Sequence, residues 1–318
     1  MGIRIGLAQV SRVVLVATGL AALPGAVWGL LSRFPRSAVR EPRHWGGARV
    51  RRNGGYLCVV LGHADDMVSI VATTAVIFDF FGTLTPSTPT DVWDEHAARS
   101  AAPLGIPARR WRTTLDASFA ERATGALGDL PETFRTLAQR SDVDPSAEAL
   151  AAACAARMAA QRELFVLRDD AVATLTDLRG RGLRLGVLSD CTAELAATWS
   201  QLPVAELVDA RVLSCEEGRR KPDPELFRLI ARLLEADPQD CLYIGDGGGD
   251  ELTGASNCGM RAFMLRAADW AVNNAHARED DWPGPVLPSL TGVLSLVPSS
   301  PTVGQLRGRT GTDQECTE

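Results

Sequence analysis

The spacing of hydrophobic and polar residues changes twice along this chain. A short apolar run, residues 75–78, ends at Asp79 and is followed by Gly82, which predicts a buried strand and a tight turn. Residues 88–165 then show helical spacing without a convincing strand. After residue 165, strand-length apolar runs return and alternate with amphipathic segments. Strands are predicted over 75–78, 183–188, 210–213, 242–244 and 261–265. Helices are predicted over 91–102, 107–124, 130–140, 146–164, 170–181, 193–200, 222–234 and 251–258.

Strands that alternate with helices are typical of a parallel, doubly wound sheet with right-handed crossovers. The predicted fold class is therefore α/β, with a core formed by residues 74–87 and 166–297. Residues 88–165 form an inserted α-helical domain between the first two strands of this core. The tail, residues 298–318, is rich in Ser, Thr, Pro, Gly and charged residues, which predicts disorder.

The first 66 residues are harder to interpret. Residues 36–55 are rich in Arg and Gly, and the globular part can begin at Met67, so residues 1–66 are expected to be a disordered leader or an over-extended start. The alternative is a membrane anchor, because residues 13–31 are uncharged, mostly apolar and flanked by arginines. We accordingly expect a cytoplasmic protein, with a membrane-anchored one as the alternative.

Composition narrows the function classes. The 318-residue chain has a net charge of −6 and a pI near 5.4, and no basic face emerges from the sequence, which argues against nucleic acid as a partner. Seven cysteines without CxxC spacing indicate reduced thiols rather than a disulfide framework or a zinc site. The oligomeric state is left open.

Lysine usage singles out one position. Of the 33 basic residues only Lys221 is lysine, and it directly follows two arginines. A lysine provides a compact point charge on a slim stem, whereas arginine is a broad planar fork. The choice of lysine at this position predicts a tight pocket that needs one ammonium group.

Polar residues end three of the predicted strands. Asp79, Ser189 and Asp246 lie at strand ends, and Lys221 precedes a helix that proline opens. In an open parallel sheet the reactive crevice lies at the carboxyl ends of the strands, so these residues should converge. Two carboxylates and one lysine there predict a divalent-metal site beside an activated nucleophile.

These residues also match four ordered motifs of a known family. Asp79-Phe80-Phe81-Gly82-Thr83-Leu84 matches the first motif, Ser189 the second, Lys221 in Arg-Lys-Pro-Asp-Pro the third, and Gly245-Asp246-Gly247-Gly248-Gly249-Asp250-Glu251 the fourth. Over residues 74–297 the chain resembles the haloacid dehalogenase-like hydrolase superfamily, with its Rossmann-like core. The inserted helices resemble the small cap that such proteins carry between the first and second motifs.

The resemblance implies catalytic and substrate-binding roles. Asp79 would be the nucleophile that forms a covalent aspartyl intermediate. Lys221 would hold that nucleophile ionised and offset charge on the transferring group. Thr83 and Ser189 would bind an anionic oxygen of the substrate, a small and phosphorylated molecule.

The resemblance also implies a Mg²⁺ site. Its ligands would be Asp79, the backbone carbonyl of Phe81, Asp246, and either Asp250 or Glu251. The spacing leaves open which of the last two ligates the metal. An alternative role for both is favourable charge in the first turn of a helix.

Phe81 departs from the pattern of the family's phosphatases, which carry there a second aspartate that acts as general acid and base. The family's dehalogenases place an aromatic residue at this position, but they work without metal. The prediction is therefore a Mg²⁺-dependent phosphohydrolase acting through Asp79. The alternatives are a metal-independent 2-haloacid dehalogenase and a catalytically weak relative that binds a phosphorylated ligand.

Substrate identity is not predicted, but the inserted helices offer candidate contacts. The candidates are Trp93, His96, Arg109, Arg110, Trp111 and Arg112. An alternative role for these arginines is a solvated helix face, and an alternative role for these tryptophans is packing in the core of the insert.

Overall fold

The computed structural model describes residues 73–270, 279 and 281–297, together with three short strands nearer the amino terminus. Those strands are β1 (Leu15–Thr18), β2 (Val50–Asn53) and β3 (Tyr56–Val59), which pair antiparallel in the order β1-β3-β2. The rest of the predicted leader and anchor, and the tail beyond residue 297, lie outside the described residues. In the part that is described, no helix has the length and apolar character needed to cross a bilayer.

A six-stranded parallel sheet forms the core of residues 73–297 and confirms the predicted fold class. Its strand order is β6-β5-β4-β7-β8-β9, with β4 near the centre. The strands are β4 (Ala75–Phe78), β5 (Arg184–Ser189), β6 (Ala210–Leu213), β7 (Cys241–Gly245), β8 (Arg261–Leu265) and β9 (Val286–Leu287). The sequence pattern missed β9, because two residues are too short to show a period.

Helices cover both faces of this sheet, because its central strands are apolar on both sides. In β4, Val76 and Phe78 belong to one hydrophobic core and Ala75 and Ile77 to the other. Helix α6 (Ala171–Gly180) packs in the first core, and α9 (Pro224–Leu233) and α10 (Glu251–Asn257) pack in the second. The core helices are α6 (Ala171–Gly180), α7 (Ala193–Thr198), α8 (Ser214–Glu217), α9 (Pro224–Leu233) and α10 (Glu251–Asn257).

The residues between β4 and α6 form helices with a hydrophobic core of their own, centred on Trp111 and Phe134. We call this segment, residues 90–164, the helical insert. Its helices are α1 (Thr90–Ala101), α2 (Ala108–Ala117), α3 (Phe119–Ala123), α4 (Leu130–Arg140) and α5 (Ala147–Leu164). The single helix predicted over 107–124 is wrong. It breaks at Ser118, whose hydroxyl donates to the Leu115 carbonyl at 3.1 Å and so competes with the regular helical hydrogen bonds.

Side-chain caps set several helix starts where the sequence pattern places them. Asp129 and Glu132 form a reciprocal capping box at the start of α4. Ser146 caps α5, and Asp223 caps α9 by accepting from the Glu225 backbone N–H at 2.9 Å. Short 3₁₀ turns are found at Ala102–Leu104, Trp199–Gln201, Pro203–Glu206, Pro238–Asp240 and Leu290–Ser295.

Candidate active site

The turn after β4 places Asp79 at the carboxyl edge of the sheet. The Asp79 backbone N–H donates to the Ile244 carbonyl of the neighbouring strand at 2.9 Å, which fixes where the strand ends. A kinked π-helical turn, Phe80–Leu84, follows, and Gly82 there has a φ of 73°. A Cβ at Gly82 would also collide with Asp246 Oδ2, so glycine is required for both reasons.

Lys221 is held at this edge by three oxygen atoms. Its Nζ donates to Asp79 Oδ1 at 2.7 Å, to Glu251 Oε2 at 2.5 Å and to the Tyr243 hydroxyl at 3.4 Å, and its side chain is only 3% exposed. Burial alone would lower the pKa of Lys221, but Asp79 and Glu251 outweigh it and raise that pKa well above the ordinary value. The ammonium therefore stays charged. This geometry agrees with the tight pocket expected from the lone lysine.

Glu251 orients Lys221 and has little capacity left for a metal. Its Oε1 accepts from the Gly247 N–H at 2.9 Å, and its Oε2 accepts from the Tyr243 hydroxyl at 2.7 Å as well as from Lys221. The side chain packs so closely against Gly245 that a Cβ there would collide with it. Asp250, the other candidate ligand, is exposed and lies outside this cluster, at the N-cap position of α10 in a left-handed conformation and without a side-chain capping hydrogen bond.

Three buried carboxylates crowd around the single ammonium group. Oxygen atoms of Asp79, Asp246 and Glu251 lie within 4.8 Å of one another. Burial raises the pKa of Asp79 well above its ordinary value, and Glu251 and Asp246 add to the effect while Lys221 opposes it. Carboxylates this close together disfavour one another's ionised form, and a cation bound among them would relieve that repulsion. An all-oxygen donor set suits a hard divalent cation such as Mg²⁺.

The two predicted anion-binding hydroxyls lie nearby in the fold, at the ends of β4 and β5. Thr83 Oγ1 and Ser189 Oγ are fully buried and have no hydrogen-bond partner among the described residues. A buried hydroxyl without a partner is destabilising, so both have capacity to bind a ligand oxygen. Neither residue lines the open cleft described next.

A cleft of about 230 Å³ separates this edge of the sheet from the helical insert. Asp79, Lys221 and Asp246 line it from the core, together with Phe81. Of the candidate contacts on the insert, Trp93 and Arg112 line the cleft.

The other candidate contacts on the insert do not reach the cleft. His96 and Trp111 are fully buried inside the insert. The indole N–H of Trp111 donates to Ser100 Oγ at 3.0 Å. Arg109 and Arg110 are exposed, and Arg110 pairs with Asp142. Trp111 thus lies in the core of the insert and Arg109 and Arg110 lie on a solvated helix face, the alternatives given for these residues above, and none of the four lines the cleft.

Sequence comparison identifies the family. The profile of the haloacid dehalogenase-like hydrolases matches residues 73–259, which include every site residue described above. The chain belongs to the haloacid dehalogenase-like hydrolases. The implied membership is thereby confirmed, and with it the assignment as an enzyme of the hydrolase class.

Relatives of this hydrolase include named phosphatases. It is 27% identical over 211 residues to a glyceraldehyde 3-phosphate phosphatase of Methanopyrus kandleri, covering 65% of this chain and 89% of the relative. It is 29% identical over 207 residues to phosphatase MT3486 of Mycobacterium tuberculosis, covering 61% of this chain and 88% of the relative. Among solved structures, a 2-haloacid dehalogenase from Pseudomonas syringae pv. Tomato matches with a TM-score of 0.53 and 22% identity, over 70% of this chain and 97% of that one. That likeness shows the shared fold.

Sequence reasoning missed several residues that line the cleft of this hydrolase. They are Asp116, Phe119, Arg122, Arg157, Gln161, Asp190 and Arg220. Asp190 positions the segment that carries Lys221, because its Oδ1 accepts from the Lys221 backbone N–H at 2.9 Å and its Oδ2 accepts from Arg220 Nε at 3.2 Å. One signal was available in the sequence, since Arg157 is a charged residue within an alanine-rich helix.

Proposed function

We propose that this hydrolase is a Mg²⁺-dependent phosphohydrolase that acts on a small phosphate ester through an aspartyl phosphate on Asp79. The observation that carries the proposal is the close approach of the buried carboxylates of Asp79, Asp246 and Glu251 beside the Lys221 ammonium, because this all-oxygen donor set suits a divalent cation. The phosphatase names of the two sequence relatives support it.

Asp79 is arranged as a nucleophile. Its Oδ1 accepts from Lys221, whereas Oδ2 has no hydrogen-bond partner among the described residues and is the oxygen proposed to attack phosphorus. The P–O bond to the leaving alkoxide breaks as the Asp79–phosphorus bond forms, and the alkoxide takes a proton from water. A second water then hydrolyses the acyl phosphate, which releases inorganic phosphate and restores the Asp79 carboxylate. Lys221 stabilises negative charge that develops on the phosphoryl oxygens, and Thr83 and Ser189 donate to one of them.

The proposed metal ligands are the Asp79 and Asp246 carboxylates and the Phe81 carbonyl. Mg²⁺ bound there would act as a Lewis acid on the phosphoryl group. We assign Glu251 to Lys221 rather than to the metal, because both its oxygens already accept hydrogen bonds from this chain. Asp250, which is exposed at the start of α10, remains the alternative fourth ligand.

The helical insert is proposed to act as a cap that sets specificity. It supplies one wall of the cleft, with Trp93, Arg112 and Arg122 opposite the catalytic residues. Because a cap that closes over a crevice excludes water and contacts the rest of the substrate, its residues choose among phosphate esters.

Phe81 favours a second candidate function, metal-independent dehalogenation. It contributes no general acid, which a halide leaving group does not need. The buried carboxylate of Asp246 close to Asp79 argues for the phosphatase, because neighbouring carboxylate oxygens form the donor set that a divalent cation prefers. A third candidate is a weak enzyme that mainly binds a phosphorylated ligand.

Hydrolysis of p-nitrophenyl phosphate separates these functions. We expect turnover that requires Mg²⁺, is abolished by EDTA and is lost in Asp79→Asn. The matched control is Asp169→Asn, which changes an exposed aspartate and should retain activity. Halide release from 2-chloropropionate without metal would identify a dehalogenase. Absence of both activities, with a melting temperature raised by inorganic phosphate, would identify the binding protein.

A further inference from the structure

Two buried arginines lie on the insert side of the cleft. Arg122, in α3, is 9% exposed, and Arg157, in α5, is 5% exposed. Both line the same cleft as Asp79 and Lys221. A buried guanidinium is costly unless a carboxylate or another anion pairs with it.

Only one of the two arginines has a carboxylate partner in the described part of the chain. Arg157 Nε donates to Glu194 Oε1 at 2.7 Å, and both groups are buried. Arg122 instead donates to neutral acceptors, through Nε to Ser118 Oγ at 3.2 Å and through Nη2 to the Leu115 carbonyl at 2.8 Å. These bonds use two of the five N–H donors of the Arg122 guanidinium. The described residues offer no carboxylate within 4.0 Å of it.

The buried charges therefore do not balance at this wall. Arg122 and Arg157 carry two positive charges, and Glu194 carries one negative charge. Burial, and then the proximity of Arg157, lowers the pKa of Arg122 to about 10. Asp116 and Arg112 pair with each other, and their opposite charges act on the pKa of Arg122 in opposite directions.

We infer that this hydrolase takes a small phosphate ester bearing a second anionic group, a carboxylate or a second phosphate, and that Arg122 binds that second group. The inference rests on the proposed phosphohydrolase function and names its substrate class. A planar guanidinium with unused N–H donors matches either oxyanion in a bidentate manner. Asp79 and Lys221 would hold the transferred phosphoryl group at one side of the cleft while Arg122 holds the second anion at the insert side.

The test compares esters of similar size that differ in the second group. The probes are 3-phosphoglycerate with a carboxylate, 1,3-propanediol bisphosphate with a second phosphate, and glycerol 3-phosphate with neither. We expect kcat/KM with Mg²⁺ to favour at least one doubly anionic ester over glycerol 3-phosphate by about 10- to 100-fold, the ratio that one buried charge-assisted interaction supplies. The better of the two identifies the second group.

Substitution then assigns the preference to a residue. Arg122→Gln should reduce the ratio of doubly to singly anionic kcat/KM by about 10-fold or more. Arg109→Gln, an exposed arginine on α2, should leave the ratio as in the unmodified protein. Arg122→Lys retains the charge and should keep part of the preference, which covers the case in which Arg122→Gln does not fold. Equal kcat/KM for all three esters, or an unchanged ratio in the Arg122 variants, would overturn the inference.

A binding measurement separates this inference from the proposed function. Asp79→Asn is titrated calorimetrically with 3-phosphoglycerate, the bisphosphate and glycerol 3-phosphate. The second-anion site is supported if a doubly anionic ester binds more tightly than glycerol 3-phosphate and Arg122→Gln weakens that binding. This conclusion holds even if the unmodified protein hydrolyses none of the esters, a result that would refute only the phosphohydrolase function. Equal affinities for the three esters would overturn the second-anion site and leave the phosphohydrolase standing if the esters are hydrolysed.

Discussion

At the scale of single residues, Lys221 connects the residues of the proposed catalytic site. Its ammonium bridges Asp79 and Glu251, two carboxylates that are far apart in sequence. Asp190 fixes its backbone from a third strand end. Because its Nζ lies among three oxygen atoms within hydrogen-bond distance, the choice of lysine follows from the shape of the side chain as much as from its charge.

Lys221→Arg should lower kcat/KM for p-nitrophenyl phosphate by about 100-fold or more, because the planar fork cannot occupy the position of Nζ beside Asp79. Overpacking should cost about 1–3 kcal/mol in the free energy of unfolding, measured by urea denaturation. Arg219→Lys is the matched control, since Arg219 is exposed and its partner Asp223 is outside the cleft. Unchanged activity in Lys221→Arg would mean that the identity of this cation does not matter.

Phe81 should determine how strongly the rate of the proposed reaction depends on the leaving group. Its ring lies 5.0 Å from that of Phe80 and 6.1 Å from that of Phe165, so it is part of the packing as well as of the cleft. Without a general acid here, poor leaving groups should be hydrolysed slowly relative to aryl phosphates.

Phe81→Asp should therefore raise kcat for glycerol 3-phosphate relative to p-nitrophenyl phosphate, by up to about 100-fold. Phe81→Asn is the control, because it has nearly the same shape as aspartate and cannot transfer a proton in that way. The ratio of the two kcat values is compared among the three proteins. An equal gain in both variants would attribute the change to lost aromatic packing instead of proton transfer.

At the scale of elements, the turn after β4 and the end of β7 determine the site together. Gly82 in the turn lets the chain pass Asp246, and Gly245 at the end of β7 makes room for Glu251. Arg168, just beyond the insert, holds the turn by donating to the carbonyls of Gly82 and Thr83 at 2.9 and 3.0 Å. The geometry of the carboxylates thus depends on backbone contacts between elements.

Gly82→Ala and Gly105→Ala separate backbone strain from collision with the site. Both glycines have positive φ, but a Cβ at Gly105 meets nothing within 4 Å, whereas one at Gly82 meets the Asp246 carboxylate. Each substitution should cost about 1 kcal/mol or more in unfolding free energy through its φ. Only Gly82→Ala should also lose Mg²⁺-dependent activity, by about 10-fold or more, since small displacements of catalytic groups have large effects on rate. Equal activity in the two variants would contradict this account.

At the scale of the whole described unit, residues 73–297, a buried ion pair links the helical insert to the core. Arg157 of α5 and Glu194 of α7 meet at 2.7 Å, and both side chains are almost fully buried. Despite burial, which alone would raise it, the pKa of Glu194 is lowered to about 2 because Arg157 and Arg122 stabilise the carboxylate. Glu194 therefore contributes stability that is present above its unfolded pKa near 4.5 and is lost as the pH falls from 4.5 towards 2.

Glu194→Gln should reduce the free energy of unfolding at pH 7 by about 3–5 kcal/mol, because it leaves Arg157 buried without its counter-charge. Urea denaturation at pH 7, 4.5 and 3.5 should show the difference from the unmodified protein shrinking below pH 4.5. Glu148→Gln, at an exposed position in the first turn of α5, is the control and should change stability by less than about 0.5 kcal/mol. A difference that stays constant with pH would show that the pair does not titrate as described.

Local patterns in the sequence were enough to predict the parallel sheet, most boundaries of the helices and strands, and the close approach of Asp79, Lys221 and Asp246. Apolar runs and helical periods reflect which face of each element is buried, and the carboxyl ends of parallel strands meet at one edge whatever the details. The two-residue strand β9 and the break at Ser118 were missed because they have no period of their own.

The tertiary structure decided what each charged residue does. It assigned Glu251 to Lys221, left Asp250 exposed, buried His96 and Trp111 within the insert, and placed Arg122 at the cleft without a carboxylate partner among the described residues. A sequence records that a residue is charged, but the energetic consequence of that charge depends on its burial and its partners. Those come from elements that are distant in the chain, so only the packed fold determines them.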